Sequence, residues 1–385
     1  MCPTKTGMKI AYSASRSAPT TTSVKVVFPT QIWWMPSTSS SGDPSGKRAM
    51  TIRIGIVNDV SFATRVIEKA LVPEPAFEVL WTAQDGAQAV EQCRRDTPDI
   101  VLMDLVMPVM NGAEATRRIM RDSPCPILIV TSTIEGHLDL VYEAMGYGAL
   151  DVTTTPVVGD NRQSDDGSAL RKKIFDILRQ LPNEGIKTSA GSIADSTPNQ
   201  CRLVLLGAST GGPGVLSTIL KALPADFDAA VVVAQHIDPE FVQGFADWLA
   251  TECQLSVELT KGDTALQAGH VYVLNSSNHS SFTSARQLRF AANVQDSYYC
   301  PSIDVLFSSA AKVAPAGSIG VLLTGIGSDG AAGLLQMREA GLYTISQSEQ
   351  SCVVYGMPQA AVANGAAAWV ADPPEIADYL IKHIR

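Results

Sequence analysis

The chain has 385 residues, 45% hydrophobic and 17% charged, enough apolar material for two or three domains with real cores and too much for a chain dominated by disorder. Acidic residues (38) outnumber basic ones (29), and the formal net charge of −9 argues against a generic nucleic-acid binder. No apolar run approaches the roughly 18 residues of a membrane-spanning helix, so no direct membrane insertion is expected, and seven scattered cysteines without a C-x-x-C pair point to a reducing cytoplasm rather than disulfides or zinc knuckles.

Residues 1–49 are rich in Ser and Thr, carry five prolines and show no lasting helical or strand period. They lack the apolar core of a signal peptide. They are expected to be a disordered leader or a mis-assigned start, with periodic structure beginning after Met50; the functional alternative is a flexible interaction arm using Trp33 and Trp34. From there β-rich runs at 53–57, 78–81, 100–103, 126–130 and about 149–152 alternate with amphipathic segments at 63–70, 86–95, 112–120 and 137–145. Such alternation predicts βα units around a parallel sheet. Residues 169–181 read as a closing helix with Leu170, Ile174, Ile177, Leu178 and Leu181 on one stripe. The polar, Gly/Ser/Pro-containing stretch 182–200 reads as a linker. A second βα series follows, with strands at 203–206, 229–234, 271–274 and 319–323. The expected organisation is a first domain over 51–168, a linker with a helix over 169–200, and a second α/β domain over 201–385.

In an open parallel sheet, ligands sit outside the carboxyl ends of the strands. Three strands of the first domain end in polar groups: Asn58-Asp59, Asp104 and Thr131-Ser132. Carboxylates converging there would suit Mg²⁺, an oxygen-seeking ion that keeps several waters, and a central Asp could accept a phosphoryl group. The run Asp104-Leu105-Val106-Met107-Pro108 followed by Asn111-Gly112 resembles the response-regulator receiver domain, whose fold is flavodoxin-like (βα)5. The resemblance implies phosphorylation at Asp104, a metal held by Asp59 and Asp104, and Thr131 as the switch hydroxyl. The plainer alternative is an ordinary flavodoxin-like domain with solvated acids. Two departures stand out. Asn58-Asp59 replaces a pair of acids, and Thr155-Pro156 replaces Lys-Pro, which removes a charge-assisted bond to phosphate of about 1.5–3 kcal/mol.

In the second domain an apolar strand runs into Gly207-Ala208-Ser209-Thr210-Gly211, a literal G-x-S-x-G, before Pro213 and a helix from about Gly214. Glycines permit the sharp turn, and the helix N-terminus aims N–H groups at a developing oxyanion. Neither G-x-G-x-x-G nor a Walker loop is satisfied. A nucleophilic serine needs a base and an orienting acid. His236 follows the next strand and shares the rim with Ser209; His270 precedes a strand and falls on the opposite edge; His279 is a weaker candidate whose plain reading is a surface histidine. Asp329 follows a third strand through Gly325 and Gly327.

The stretches 207–213 (GASTGGP), Gln235-His236, 301–307 (PSIDVLF), 323–330 (LTGIGSDG) and 355–358 (YGMP) resemble the CheB-type protein-glutamate methylesterases. With the receiver in front, the resemblance covers roughly residues 51–385. It implies a doubly wound, mostly parallel catalytic domain with Ser209 as nucleophile, His236 as base and Asp329 as orienting acid. Thr210, Gly211 and Ile326 would line the oxyanion and substrate pocket, Ile326 standing where the family often has Met. It further implies hydrolysis of glutamate methyl esters and deamidation of glutamines on the cytoplasmic helices of methyl-accepting chemoreceptors. Phosphorylation would come from a CheA-like histidine kinase, Mg²⁺ would serve only the receiver, and the esterase would need no cofactor. Asn58 and the missing lysine are similar to the Wsp-like, surface-sensing branch. The rival readings are a non-catalytic phosphorylation sink or scaffold and, more remotely, a small-molecule esterase.

Overall fold

The computed structural model describes residues 51–132, 137–156, 167–179, 202–291 and 299–384. The expected leader (1–49) and linker (182–200) lie outside the described residues.

The first unit runs β1 (Ile52–Val57), α1 (Ser61–Leu71), β2 (Phe77–Ala83), α2 (Gly86–Arg95), β3 (Ile100–Met103), α3 (Gly112–Asp122), β4 (Ile127–Thr131), α4 (Leu138–Gly146), β5 (Asp151–Thr154) and α5 (Ser168–Arg179). Its five parallel strands stand in the order β2-β1-β3-β4-β5. β1, β3 and β4 are buried on both faces, which is why they read as unbroken apolar runs rather than alternating ones. Asp85 and Asn111 start α2 and α3 by accepting the free amides of the first turn. The strand expected near 149–152 begins two residues later. Ala149 and Leu150 are buried but belong to the turn leaving α4, so their apolarity serves packing rather than the ladder. α5 lies in the segment expected as a linker with a helix (169–200), and its Leu170, Ile174, Ile177 and Leu178 share one core with Ile52, Ile54, Ile56 and Ile67. That helix, read from the sequence as closing the first βα series, packs with the first unit.

The second unit runs β6 (Arg202–Ala208), α6 (Gly212–Ala222), β7 (Ala229–Gln235), α7 (Val242–Glu252), β8 (Ser256–Leu259), β9 (Thr264–Ala265), β10 (His270–Val273), β11 (His279–Ser284), β12 (Gln287–Ala291), α8 (Ile303–Val313), β13 (Ile319–Leu322), α9 (Ala331–Glu339), β14 (Tyr343–Gln347), α10 (Met357–Ala363), β15 (Trp369–Ala371) and α11 (Pro373–His383). Seven parallel strands form a sheet ordered β15-β14-β13-β6-β7-β10-β8, flanked by a small antiparallel sheet, β11-β12-β9. Along β6, Val204 and Leu206 pack toward α6, α7 and α11, whereas Leu203 and Leu205 pack toward α8, α9 and α10. The unit is therefore doubly wound. Because β7 and β13 lie on either side of β6, the chain reverses its direction of winding there, and a crevice opens at the carboxyl ends of these three strands.

The two units touch through α4. Tyr142 lies 5.7 Å from the Phe245 ring and 5.5 Å from that of Trp248, both on α7, and its hydroxyl donates to the Phe241 carbonyl. Leu138 sits over Gly244, where a Cβ would come within 2.7 Å of it. One apolar core runs through this contact from the first sheet to the second.

Candidate active site

Ser209, His236 and Asp329 follow β6, β7 and β13, the three strands bordering that crevice. Backbone bonds beyond the strands hold their ends together: Ser209 N–H donates to the Thr324 carbonyl at 3.0 Å and His236 N–H to the Ala208 carbonyl at 3.0 Å. Gln235 reinforces the corner, its side-chain amide donating to the carbonyls of Ser209 and His236, each at 2.9 Å. The serine turn needs its glycine: Gly211 has φ of 77°, and a Cβ there would lie 2.5 Å from Val353 Cβ. Gly325 brings the acid-bearing loop against the serine, because a Cβ on it would lie 2.6 Å from Ser209 Cβ.

His236 Nε2 lies 3.0 Å from Asp329 Oδ2. An ionised carboxylate only accepts, so Nε2 carries the proton and Nδ1 is left with its lone pair in the neutral ring. That Nδ1 is buried and has no partner among the described residues. Tyr299 stacks on the ring with centroids 4.6 Å apart and planes 6° from parallel. Asp329 is itself held at the N-terminus of α8, where Oδ2 accepts Ile303 N–H at 2.7 Å and Oδ1 accepts Asp304 N–H at 3.0 Å and the Ser302 hydroxyl at 3.1 Å. Burial opposes ionisation of Asp329, but the His236 bond and charge and the Ile303 and Asp304 amides outweigh it and hold its carboxyl below the ordinary value. The arrangement can take a proton from a nucleophile at Nδ1 and stabilise the imidazolium that results.

Thr210 is buried and Ile326 half-buried on the same rim. The first unit reaches into it. Gly211 N–H, at the start of α6, donates to the Leu150 carbonyl at 2.8 Å, and the Thr210 hydroxyl lies 3.4 Å from Asp151 Oδ2. Lys173 of α5 pairs with Asp151 at 3.2 Å and with Asp238, two residues past His236, at 3.7 Å. Sequence reasoning had no signal for Leu150, Asp151 or Lys173, which meet the rim only through tertiary packing. Ser302, which sequence reasoning picked out only as part of the 301–307 stretch, caps α8, its hydroxyl oxygen accepting Val305 N–H at 3.3 Å. His270 lies on the opposite edge as expected, 3.9 Å from Glu258. His279 corrects the surface reading: it is buried, and its Nδ1 accepts Ser302 N–H at 3.1 Å.

In the first unit Asp104 is buried at the end of β3, its Oδ1 accepting Leu105 N–H at 2.8 Å and its Oδ2 the Asn58 amide at 3.2 Å. Burial first, then the charge of Asp59, push its carboxyl up to about 6 against bonds from Leu105 and Thr131. A buried carboxylate raised in part by a second carboxylate's charge would suit a hard divalent ion with oxygen ligands and retained waters, held by Asp59 and Asp104. Thr155 follows β5 beside Thr131, N–H to carbonyl at 3.0 Å, and its buried hydroxyl has no partner among the described residues.

The CheB methylesterase family profile matches residues 204–380 and the response regulator receiver domain profile residues 54–161. A Pseudomonas aeruginosa protein, protein-glutamate methylesterase/protein-glutamine glutaminase 3, is 46% identical over 338 residues, covering 86% of this chain and 99% of its own. A Mesorhizobium japonicum protein-glutamate methylesterase/protein-glutamine glutaminase is 45% identical over 318 residues, covering 82% and 94%. The crystal structure of the Thermotoga maritima CheB methylesterase catalytic domain is 29% identical, covers 48% of this chain and 99% of that one, and has a TM-score of 0.45.

Proposed function

Because the chain belongs to the CheB methylesterase family and carries a receiver domain ahead of the catalytic one, we propose that it hydrolyses glutamate γ-methyl esters, and deamidates glutamines, on the cytoplasmic helices of methyl-accepting receptors. The observation that carries the mechanism is the His236–Asp329 pair with its bare, buried Nδ1 on the rim that bears Ser209. His236 Nδ1 takes the Ser209 proton, and the alkoxide attacks the ester carbonyl. Amides at the α6 N-terminus, Gly211 among them, receive the oxyanion beside Thr210 and Ile326. The tetrahedral intermediate collapses, the imidazolium returns the proton to the leaving oxygen, and methanol departs; with a glutamine side chain the leaving group is ammonia. Water, deprotonated by the same Nδ1, then releases a glutamate carboxylate and restores the serine. The esterase needs no cofactor.

The receiver is the regulator in this reading. A CheA-like histidine kinase donates a phosphoryl group to Asp104; Mg²⁺, held by Asp59 and Asp104, would neutralise charge during that transfer, with Thr131 contacting the phosphoryl oxygens. Unphosphorylated, the receiver covers the rim, and the Leu150, Asp151 and Lys173 contacts support that cover. The protein would work in the cytoplasm, adapting a chemotactic or surface-sensing array. Among the described residues no helix is long and apolar enough to cross a membrane.

The test is methanol release from methylated receptor membranes, with and without a small phosphodonor and Mg²⁺. Ser209→Ala is expected to abolish release, by roughly 10⁶-fold if the three residues act as a unit. Release indifferent to Ser209 would sink the mechanism, and no release from folded protein on a competent receptor would favour the scaffold.

A further inference from the structure

Asp329 can orient His236 only if the turn that holds its own carboxylate is fixed. Two amides and a hydroxyl that donate to this carboxylate come from one short segment, Ser302 to Asp304, at the start of α8. The side chain of Ser302 caps that helix, accepting Val305 N–H at 3.3 Å while donating to Asp329. The backbone N–H of Ser302 points the other way, outside the helix, where no intrahelical acceptor exists. His279 supplies one, Nδ1 to N at 3.1 Å. Both residues are buried, at 8% and 3% exposure, so water cannot replace the bond. His279 opens β11, and the same strand ties to α8 about two turns further on, Phe282 N–H donating to the Ser309 hydroxyl at 2.9 Å.

We infer that His279 is a positioning residue for the esterase, fixing the Ser302–Asp304 turn so that its amides and hydroxyl converge on Asp329. Among the described residues its ring bonds to Ser302 and not to Asp329 or His236. Its action passes through Ser302 to the carboxylate, and from the carboxylate to the histidine base. The role requires a lone pair on Nδ1, and therefore a neutral ring protonated on Nε2. An asparagine could fill it, because its Oδ1 occupies the same place relative to Cγ and is always an acceptor. A phenylalanine matches the ring and cannot accept, which leaves a buried N–H without a partner.

The inference rests on the proposed esterase reading, so the experiment carries one readout that does not. Full-length wild type, His279→Phe and His279→Asn are compared by methanol release and by ¹⁵N spectra of histidine-labelled protein at pH 7.5. The expected kinetic result is a kcat lower by about 10- to 50-fold in the Phe variant with KM within twofold, and recovery to within about threefold of wild type in the Asn variant. The expected spectrum of wild type shows an unprotonated Nδ1 for His279. Equal losses in both variants would make His279 a mere packing residue and overturn the inference, as would full kcat in the Phe variant. A proton found on His279 Nδ1 overturns it whatever the enzyme does. Wild type without Ser209-dependent release would instead sink the function, leaving the tautomer to decide the hydrogen bond. Should the Phe variant fail to fold, the Asn variant still decides: a kcat loss beyond tenfold in folded protein refutes the acceptor role.

Discussion

A carboxyl pushed up to about 6 from an ordinary 3.8 makes Asp104 a source of instability at neutral pH. The sign follows from proton linkage: the folded state holds the proton more tightly than the unfolded one, so the cost is absent below about 4, grows through the window, and is complete above about 6. A carboxyl raised that far costs the folded state about 2–3 kcal/mol once ionised. Asp104→Asn is therefore expected to raise the thermal midpoint in chelator at pH 7.5, with the gain fading toward pH 4; a gain independent of pH would contradict the cause assigned to the shift. Magnesium should give wild type a similar rise at pH 7.5, reversed by chelator. Gly325 sets a different constraint. A Cβ there would meet Met357 Sδ at 2.3 Å and Ser209 Cβ at 2.6 Å, so Gly325→Ala must displace the serine turn or the Asp329 loop. We expect methanol release to fall at least 100-fold while the protein remains folded, at an overpacking cost of about 1–3 kcal/mol. Near-normal release would mean that the two loops have slack that this contact denies.

Among the elements, α4 and α7 carry the contact between the units, and Gly244 is its thinnest point. Alanine there favours the helix by up to about 1 kcal/mol, yet its Cβ would press to 2.7 Å of Leu138. Gly244→Ala is thus expected to raise phosphodonor-independent release several-fold and to leave the fully stimulated rate alone. An unchanged basal rate would show that this seam does not restrain the enzyme. The same level explains what could be read in the sequence. The central strands were legible because burial on both faces writes them as apolar runs, and the carboxyl-end rule then put Ser209, His236 and Asp329 on one rim. The antiparallel β9, β11 and β12 were not legible: HSSFTS in β11 is largely polar, and its place is set by packing on α8 rather than by its own pattern. His279 was misjudged for that reason. A histidine in an unrecognised strand looks like a surface residue until the helix it braces is known. Contacts between the units were invisible altogether, since no local period records which helix of one sheet meets which helix of the other.

For the molecule as a whole, the hydrogen bond from Gly211 to the Leu150 carbonyl matters beyond its place in the seam. A peptide carbonyl on that N–H occupies the position intended, in the proposed mechanism, for the carbonyl of the substrate. In the proposed mechanism the cover that the receiver gives the rim would then act as a tethered competitor for the substrate carbonyl. Its strength is set by an effective concentration, of millimolar order for short flexible tethers, and by the fraction of time the seam is closed. Competition of this kind lowers apparent affinity and leaves turnover at saturation intact. Raising receptor concentration should therefore shrink the stimulation given by phosphodonor, with KM moving and kcat not; a stimulation confined to kcat would refute the competition. The unphosphorylated enzyme would be quiet on scattered receptors and partly awake inside a dense array, so that crowding itself becomes an input to adaptation.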